Sequence, residues 1–220
     1  MTIKSLIKDI IPPLKISDTG ERALAWMDEF RMRYLPVVKD WSYLGIVSES
    51  DLLGLSDATQ PLEHYSLPLD RAFVFDSQHV YEAVNFVCRY NYPVVPVLDA
   101  NEKYAGLVSV MDLIESFAEL NAVKAEGGII HLRINSRDYM LSQISQLVEA
   151  NDASIISLSV LPSYDGATLD VTIKINRIDL TRILAAFNRY NYQVVEYYHQ
   201  SEFSDDIQSR YDAFMNYLKI

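Results

Sequence analysis

A nine-residue stretch occurs twice in the first half of the chain and constrains the fold more than any other feature. The copies are residues 45–53 (GIVSESDLL) and 106–114 (GLVSVMDLI), and the second begins 61 residues after the first. Each opens with Gly, an aliphatic residue and Val, continues with Ser-x-x-Asp and ends in two aliphatic residues. This pattern is typical of a buried strand followed directly by a helix. The repeat therefore predicts two homologous half-domains.

The Ser-x-x-Asp pairs, Ser48 with Asp51 and Ser109 with Asp112, admit two interpretations. A Ser at the N-cap and an acidic residue three positions later form a capping box, which needs no ligand. The same residues also suit a ligand site, because a carboxylate can accept both hydrogen bonds of a vicinal ribose diol. A helix N-terminus with its capping hydroxyl can also meet a phosphate. From the residues alone, both interpretations stay open.

The order strand, helix, strand, strand, helix surrounds both copies, and it predicts repeats over about 5–55 and 66–122. Residues 54–70 hold two prolines and show no clean period, so we interpret them as a connecting segment. The first helix is expected over about 20–33, and the last helix of the second repeat over 111 to about 124. Cys88 falls in a helical apolar pattern, so we expect a small buried side chain there.

Composition limits the partners and the compartment. The net charge is −11, and both parts are acidic, with 11 basic against 18 acidic residues up to residue 125 and 8 against 12 beyond it. A nucleic acid or an anionic membrane needs a basic surface, so we expect neither as a partner. One cysteine excludes an intramolecular disulfide and suits a reducing cytoplasm. No apolar run approaches the roughly 20 residues of a membrane span, and no signal-peptide core opens the sequence.

A different pattern begins after Glu126-Gly127-Gly128, which we interpret as a flexible hinge. Alternating and helical periods then follow in the order strand, helix, strand, strand, helix, strand, the ferredoxin-like arrangement. Residues 201–220 carry an apolar helical stripe and predict a terminal helix. The fold class is thus α/β (α+β), with domains over 1–125 and 126–200 and a C-terminal helix over 201–220.

The first half resembles a tandem pair of CBS domains. The resemblance rests on both copies of Gly-aliphatic-Val-Ser-x-x-Asp and on the preceding strands, Leu-Pro-Val-Val at 35–38 and Val-Pro-Val-Leu-Asp at 95–99. It implies that the two copies pack through their sheets and that the clefts between them bind an adenosine-containing ligand. It assigns the ribose to Asp51 and Asp112, and ribose or phosphate to Ser48 and Ser109.

The resemblance also implies an apolar slot for adenine and a cation for phosphate. The slot residues would be Leu35, Pro36 and Val47 in one copy and Val95, Pro96 and Val108 in the other. Arg31 and Arg33 stand before the first strand proline, where the family often places basic residues, although a solvated helix end explains them equally well. The second copy has Pro93 and Val94 there, so we expect unequal clefts.

The second half resembles an ACT domain, and the order of parts resembles the acetoin-utilisation accessory protein type. ACT domains that bind amino acids carry Asp-x-x-Gly-x-Leu after the first strand. If Leu141 matches the Leu of this motif, Tyr139 stands at its glycine. A ring there argues against amino-acid binding and favours a dimerising role.

No catalytic constellation stands out. The four histidines show no metal-ligand spacing, and no phosphate-binding glycine loop or nucleophile elbow occurs. We therefore expect no enzyme, no catalytic residue, no metal and no required cofactor.

The sequence predicts a cytoplasmic regulatory homodimer with an unknown protein target. Its ligand would be AMP, ADP or ATP, with S-adenosylmethionine also considered. The alternatives are a ligand-free dimerisation scaffold and an amino-acid sensor acting through the ACT-like domain.

Overall fold

The computed structural model describes residues 1–8 and 11–199, with only the backbone of His199. The chain divides into two compact units, Met1–Phe117 and Ala118–Ile220. The expected terminal helix over 201–220 lies outside the described residues. The domain limits expected from the sequence stay predictions.

The first repeat contains β1 (Leu14–Lys15), α1 (Gly20–Glu29), β2 (Tyr34–Lys39), β3 (Ser42–Ser48) and α2 (Glu49–Leu53). β1 runs parallel to β2, and β2 pairs antiparallel with β3, which gives the sheet order β1-β2-β3. One face of this sheet packs against α1 and α2, because Leu35, Val37 and Val47 lie in one core cluster with Ala23 and Leu52.

The second repeat has the same order and sheet: β4 (Val74–Phe75), α3 (Val80–Tyr90), β5 (Val94–Leu98), β6 (Tyr104–Ser109) and α4 (Val110–Leu120). Its core cluster contains Val95, Val97 and Val108, the counterparts of the three sheet residues above. The order predicted from the sequence is therefore confirmed in both repeats.

Each repeat carries an irregularity at the glycine that opens the repeated stretch. The register shifts after Val37 in the first sheet and after Val97 in the second, opposite Gly45 and Gly106. These glycines have φ of +152° and +145°, values that residues with a Cβ rarely adopt. A glycine at such a bulge also leaves bare backbone, against which another segment can lie.

The segments that cover these glycines are exchanged between the repeats. Ile3 is fully buried in the core of the second repeat, and the backbone N–H of Lys4 donates to the carbonyl of Asp76 at 2.9 Å. Leu62 is fully buried in the core of the first repeat, and the N–H of Glu63 donates to the carbonyl of Ile16 at 2.9 Å. Residues 61–69, expected to be a mere connection, thus complete the first repeat, while residues 2–7 complete the second.

The two repeats meet around an approximate twofold axis. Ser42 and Lys103, which occupy equivalent positions, form an antiparallel bridge across the contact. Their neighbours Tyr43 and Tyr104 are also equivalent, and their rings stack with centroids 6.3 Å apart. A shared apolar cluster surrounds these tyrosines and includes Val38 and Leu98. The repeats therefore pack through the sheet faces opposite to their helices.

The second unit is an antiparallel sheet covered by two helices. Its elements are β7 (Gly128–Asn135), α5 (Leu141–Glu149), β8 (Ile155–Pro162), β9 (Thr168–Ile175), α6 (Thr181–Arg189) and β10 (Gln193–His199). The strand order β10-β7-β9-β8 is the ferredoxin-like arrangement that the sequence predicts. The core lies between sheet and helices, with Ile130, Leu132, Ile144 and Phe187 fully buried.

Three local predictions are wrong, each for a physical reason. Gly127 and Gly128 are not a hinge: both are buried, and a Cβ on Gly127 would lie 1.9 Å from the carbonyl oxygen of Ile175. Cys88 is exposed, because α3 buries Val80, Ala83 and Phe86 and so turns residue 88 to solvent. The first helix ends at Glu29 rather than near 33, because Arg31 takes a left-handed conformation with φ +53°.

Candidate functional site: the two Ser-x-x-Asp clefts

Both Ser-x-x-Asp pairs form capping boxes of nearly the same geometry. The N–H of Asp51 donates to Ser48 Oγ at 3.1 Å, and the N–H of Ser48 donates back to Asp51 Oδ2 at 3.1 Å. The corresponding distances for Asp112 and Ser109 are 3.1 and 3.2 Å. In each pair the serine hydroxyl also donates to the same Oδ2. The capping interpretation is thus correct for both pairs, and it engages one of the two oxygens of each carboxylate.

The second carboxylate oxygen, Oδ1, distinguishes the two Ser-x-x-Asp sites. We call the region around Ser48 and Asp51 the first cleft and the region around Ser109 and Asp112 the second cleft. Oδ1 of Asp112 accepts a hydrogen bond from the ammonium of Lys8, which reaches it from the exchanged segment. Partial burial opposes ionisation of Asp112, but the bonds from Lys8 and Ser109 outweigh it and hold its pKa below the usual range. No side chain in the described part of the chain donates to Oδ1 of Asp51. One cleft therefore holds a neutralised carboxylate and the other an available one.

Two tyrosines that the sequence analysis did not single out stand at the first cleft. Tyr34 pairs with Ser48 in the register of β2 and β3, and its ring centroid lies 5.1 Å from that of Tyr92 in the second repeat. The hydroxyl of Tyr92 donates to Asp70 Oδ2 at 2.8 Å. Burial, this hydrogen bond and the charges of Asp70 and Asp51 raise the pKa of Tyr92 to about 12. The Tyr92 phenol is therefore neutral at physiological pH and can donate a hydrogen bond. The negative charge of Asp51 contributes to raising its pKa.

The two arginines proposed for phosphate lie at the entry to α2. The carbonyl of Arg33 accepts the N–H of Glu49 at 2.8 Å, which places Arg33 beside the start of that helix. Its guanidinium is 3.9 Å from the Glu49 carboxylate, and its side chain is 85% exposed. Arg31 is also exposed. The phosphate role of Arg31 and Arg33 and the solvated-end alternative both stay predictions.

The residues expected to line an adenine slot are all buried. Leu35 and Val47 have no exposed surface in the first repeat, nor have Val95 and Val108 in the second. These four point to the helix side of their sheets, into the core clusters. The buried prolines Pro36 and Pro96 alternate with them and so face the contact between repeats. Any adenine ring entering between the repeats would meet the proline face rather than the other four side chains.

The second unit has a cavity of its own near the end of β7. Its volume is about 360 Å³, and its polar lining includes Asn135, Asp138, Gln143 and Tyr192. The Tyr192 hydroxyl donates to Gln143 Oε1 at 2.7 Å. Tyr139, which the ACT resemblance places at a motif glycine, packs against the core of this unit instead of lining the cavity.

Residues 1–8 and 11–199 hold neither a candidate metal centre nor a helix that could span a membrane. Within those ranges, no three His, Cys, Asp or Glu side chains are grouped so that they could hold a metal ion. Over the same ranges, no helix has the length and apolar character required to cross a bilayer.

Sequence reasoning missed four residues of the clefts: Lys8, Tyr34, Asp70 and Tyr92. Tyr92 lies in Arg-Tyr-Asn-Tyr, which occurs at 89–92 and again at 189–192 and is typical of a helix-to-strand turn. That turn is real, because Asn91 and Asn191 both have a left-handed φ. The signal available for Lys8 and Asp70 was their position shortly before the first strand of each repeat, which becomes informative only once the segment exchange is known.

Comparison with known proteins gives a family for part of the chain. The sequence model of the CBS domain family matches residues 4–57. Among solved structures, the chain is similar to a CBS domain pair/ACT domain protein from Thermotoga maritima. The two are 24% identical over 54% of this chain and 98% of that chain, with a TM-score of 0.50.

Two further solved structures carry nucleotides. One is CBSX2 from Arabidopsis thaliana in complex with AMP, 21% identical over 54% of this chain and 96% of that chain, with a TM-score of 0.47. The other is the cytosolic domain of the Mg²⁺ channel MgtE in complex with ATP. It is 20% identical over 50% of this chain and 46% of that chain, with a TM-score of 0.44. At these levels the similarity concerns the fold. The family match covers residues 4–57, and the two βαββα repeats together have the fold of a CBS-domain pair.

Proposed function

We propose that this protein is a non-catalytic regulatory protein that binds an adenine nucleotide in the first cleft, with the ribose on Asp51. The observation that carries the proposal is the state of that carboxylate. Its Oδ2 is held by the capping box, which fixes the side chain, while Oδ1 is left to accept ribose hydroxyls. A positioned acceptor at the contact between two repeats fits a ligand-binding cleft.

The charges around the first cleft favour a ligand of low charge. Asp51, Asp70 and Glu49 are acidic, and Arg33 is the basic residue placed beside α2. A triphosphate without Mg²⁺ would bring four negative charges into this surrounding. We therefore expect AMP or ADP to bind more tightly than free ATP, and S-adenosylmethionine is a further candidate.

Regulation requires that the ligand favour one arrangement of the protein over another. In this proposal the nucleotide contacts both repeats, Asp51 in the first and Tyr92 in the second, and so stabilises one relative position of their sheets. The change would reach the ACT-like domain and the surface of a homodimer, where an unidentified protein target reads it.

The test is nucleotide binding by a matched pair of variants, Asp51→Asn and Asp112→Asn. Asparagine keeps an acceptor for the serine N–H, so both variants disturb their capping boxes alike. Calorimetric titration with AMP, ADP, and ATP with and without Mg²⁺ should show affinity reduced at least tenfold in Asp51→Asn and unchanged in Asp112→Asn. Equal binding by Asp51→Asn and wild type would refute the ribose assignment. No binding of any nucleotide by wild type would favour the ligand-free scaffold.

Amino-acid sensing by the second unit remains a second candidate because of the cavity beside Asn135, Asp138 and Gln143, whose 360 Å³ can hold one amino acid. The packing of Tyr139 on the core leaves that cavity open. Calorimetric titration with each of the twenty amino acids tests this candidate. A binding signal for one amino acid that is lost in Asp138→Ala would support it.

A further inference from the structure

The second cleft is approached by residues 2–7, a segment that is anchored at its start by backbone hydrogen bonds. The N–H of Ile3 donates to the carbonyl of Gln78 at 3.0 Å, and that of Lys4 to the carbonyl of Asp76 at 2.9 Å. Ile3 is fully buried in the core of the second repeat, with Leu6 and Ile7 packed against it. This anchoring determines where the residues that follow can lie.

Ile7 covers the bare backbone of Gly106. A Cβ on that glycine would come within 2.4 Å of Ile7 Cγ2, so the isoleucine lies where any other residue would have a side chain. The next residue, Lys8, then stands beside the start of α4, and its ammonium bonds Asp112 Oδ1. With Oδ2 in the capping box, both oxygens of Asp112 are engaged within the protein.

The first repeat has the same packing with the opposite charge. Leu69 covers Gly45 as Ile7 covers Gly106, since a Cβ on Gly45 would lie 2.8 Å from Leu69 Cβ. The residue that follows Leu69 is Asp70, which cannot pair with Asp51 and bonds Tyr92 instead. The residue after the glycine-covering side chain is therefore a cation in the second repeat, where Lys8 bonds Asp112. In the first repeat it is an anion, Asp70.

The Lys8–Asp112 pair persists over the physiological pH range. The hydrogen bond and the charge of Asp112 raise the pKa of the Lys8 ammonium, to which Glu115 adds a smaller contribution. The same bond helps to lower the pKa of Asp112. A ribose entering this cleft would have to replace a hydrogen bond between two opposite charges with bonds in which neutral hydroxyls donate to the carboxylate.

We propose that Lys8 closes the second cleft to nucleotides, so that each chain offers one nucleotide site and not two. The inference rests on the proposed function only in taking the Ser-x-x-Asp carboxylate as the ribose acceptor. It makes Lys8 the residue that sets the number of sites.

The test is the stoichiometry of AMP binding by Lys8→Met, measured by calorimetry on the full chain. Methionine keeps the apolar stem and removes the charge, so the variant should bind two AMP per chain where wild type binds one. Adding Asp112→Asn to Lys8→Met should return the value to one. Lys8→Arg keeps the cation and should bind one. Lys4→Met, a loss of the same charge from the same segment, should also bind one.

The outcomes separate this inference from the proposed function. If Lys8→Met gains no site, or if wild type already binds two AMP, Lys8 does not close the cleft and the inference is wrong. If wild type binds none but Lys8→Met binds one AMP that Asp112→Asn abolishes, the inference stands while the assignment to Asp51 fails. Circular dichroism and the melting temperature of Lys8→Met confirm that the fold is intact, and Lys8→Gln is the substitute if it is not.

Discussion

At the scale of single residues, Lys8 and Asp112 link the stability of the second repeat to pH. The folded state holds the pKa of Asp112 below its usual range and that of Lys8 above it. For the aspartate, the stabilisation is complete above its unfolded pKa of about 3.9 and is lost as the pH falls through the lower folded value. For the lysine, it is complete below an unfolded pKa of about 10.4 and is lost as the pH rises through the higher folded value.

We predict that Lys8→Met flattens the acid limb of the stability profile. Between about pH 5 and pH 3 the free energy of unfolding of wild type should fall more steeply than that of the variant, because the variant has less folded-state preference for ionised Asp112 to lose. Urea denaturation at half-unit pH steps measures both curves. Lys4→Met is the matched control, since the Lys4 ammonium is 3.9 Å from Asp76 and makes a looser pair. Parallel curves for wild type and Lys8→Met would contradict the prediction.

Residue-level roles divide into those visible in the sequence and those that depend on the fold. Ser48 and Asp51 could be identified as a helix start because capping chemistry is local and recurs three residues apart. Lys8 could not be assigned to Asp112, because 104 positions separate them and no local rule reports which cation reaches which carboxylate. Leu35 and Val47 were correctly placed on strands, yet the sequence did not reveal that they face the core.

At the scale of elements, the bulge glycines fix how the exchanged segments lie on their strands. Gly45 and Gly106 hold φ values that disfavour a Cβ, and both would bring that Cβ against a covering residue. Gly54 is different: its φ is −80°, and an added Cβ would meet nothing closer than 3.5 Å.

We predict that Gly106→Ala destabilises the protein by about 1–3 kcal/mol, from backbone strain and from collision with Ile7. Trimming the covering residue in Gly106→Ala/Ile7→Ala should relieve the collision, so the double variant should lose less than the sum of the single losses. Chemical denaturation of the four proteins in this cycle gives the coupling. Gly54→Ala is the control and should be neutral or slightly stabilising, since it removes freedom only from the unfolded chain. Strict additivity would show that Ile7 does not rest on the glycine.

Element order was predictable because periodicity is a property of neighbouring residues, whereas element ends depended on tertiary contacts. β5 (Val94–Leu98) and β6 (Tyr104–Ser109) coincide with short, mainly apolar runs of neighbouring residues. The helix α1 stops at Glu29 because the chain must reverse at Arg31 to enter β2. Gly127 and Gly128 resemble a linker in composition, but in the structure they admit the close approach of β9 and Leu180.

At the scale of the whole molecule, the approximate twofold axis leaves matching apolar side chains at the surface of the CBS pair. Leu53 in α2 and Ile114 in α4 occupy equivalent positions of the repeat and are 69% and 57% exposed. Met111 in α4 is exposed as well. Large exposed apolar side chains on one module are typical of an association surface, and identical subunits usually pair symmetrically.

We predict that the chain is a homodimer that uses these helices. Light scattering coupled to size exclusion should give twice the chain mass for wild type and one chain mass for Leu53→Glu/Ile114→Glu, because two carboxylates would be buried without partners. Tyr81→Glu places the same charge on an exposed aromatic residue of α3 and should leave the dimer intact. A dimer that survives the double substitution would assign association to another surface.

The exchange of segments between the repeats has a consequence for the order in which the protein forms during synthesis. Residues 2–7 leave the ribosome before their packing partners, which extend from Ala72 to Leu113. At about 5–20 residues per second they wait roughly 5–20 s for that partner. The first repeat needs only residues up to about 69 and can close earlier. Residues 2–7 are thus among the last parts of the two repeats to dock, and Lys8 reaches the second cleft only when the second repeat is complete.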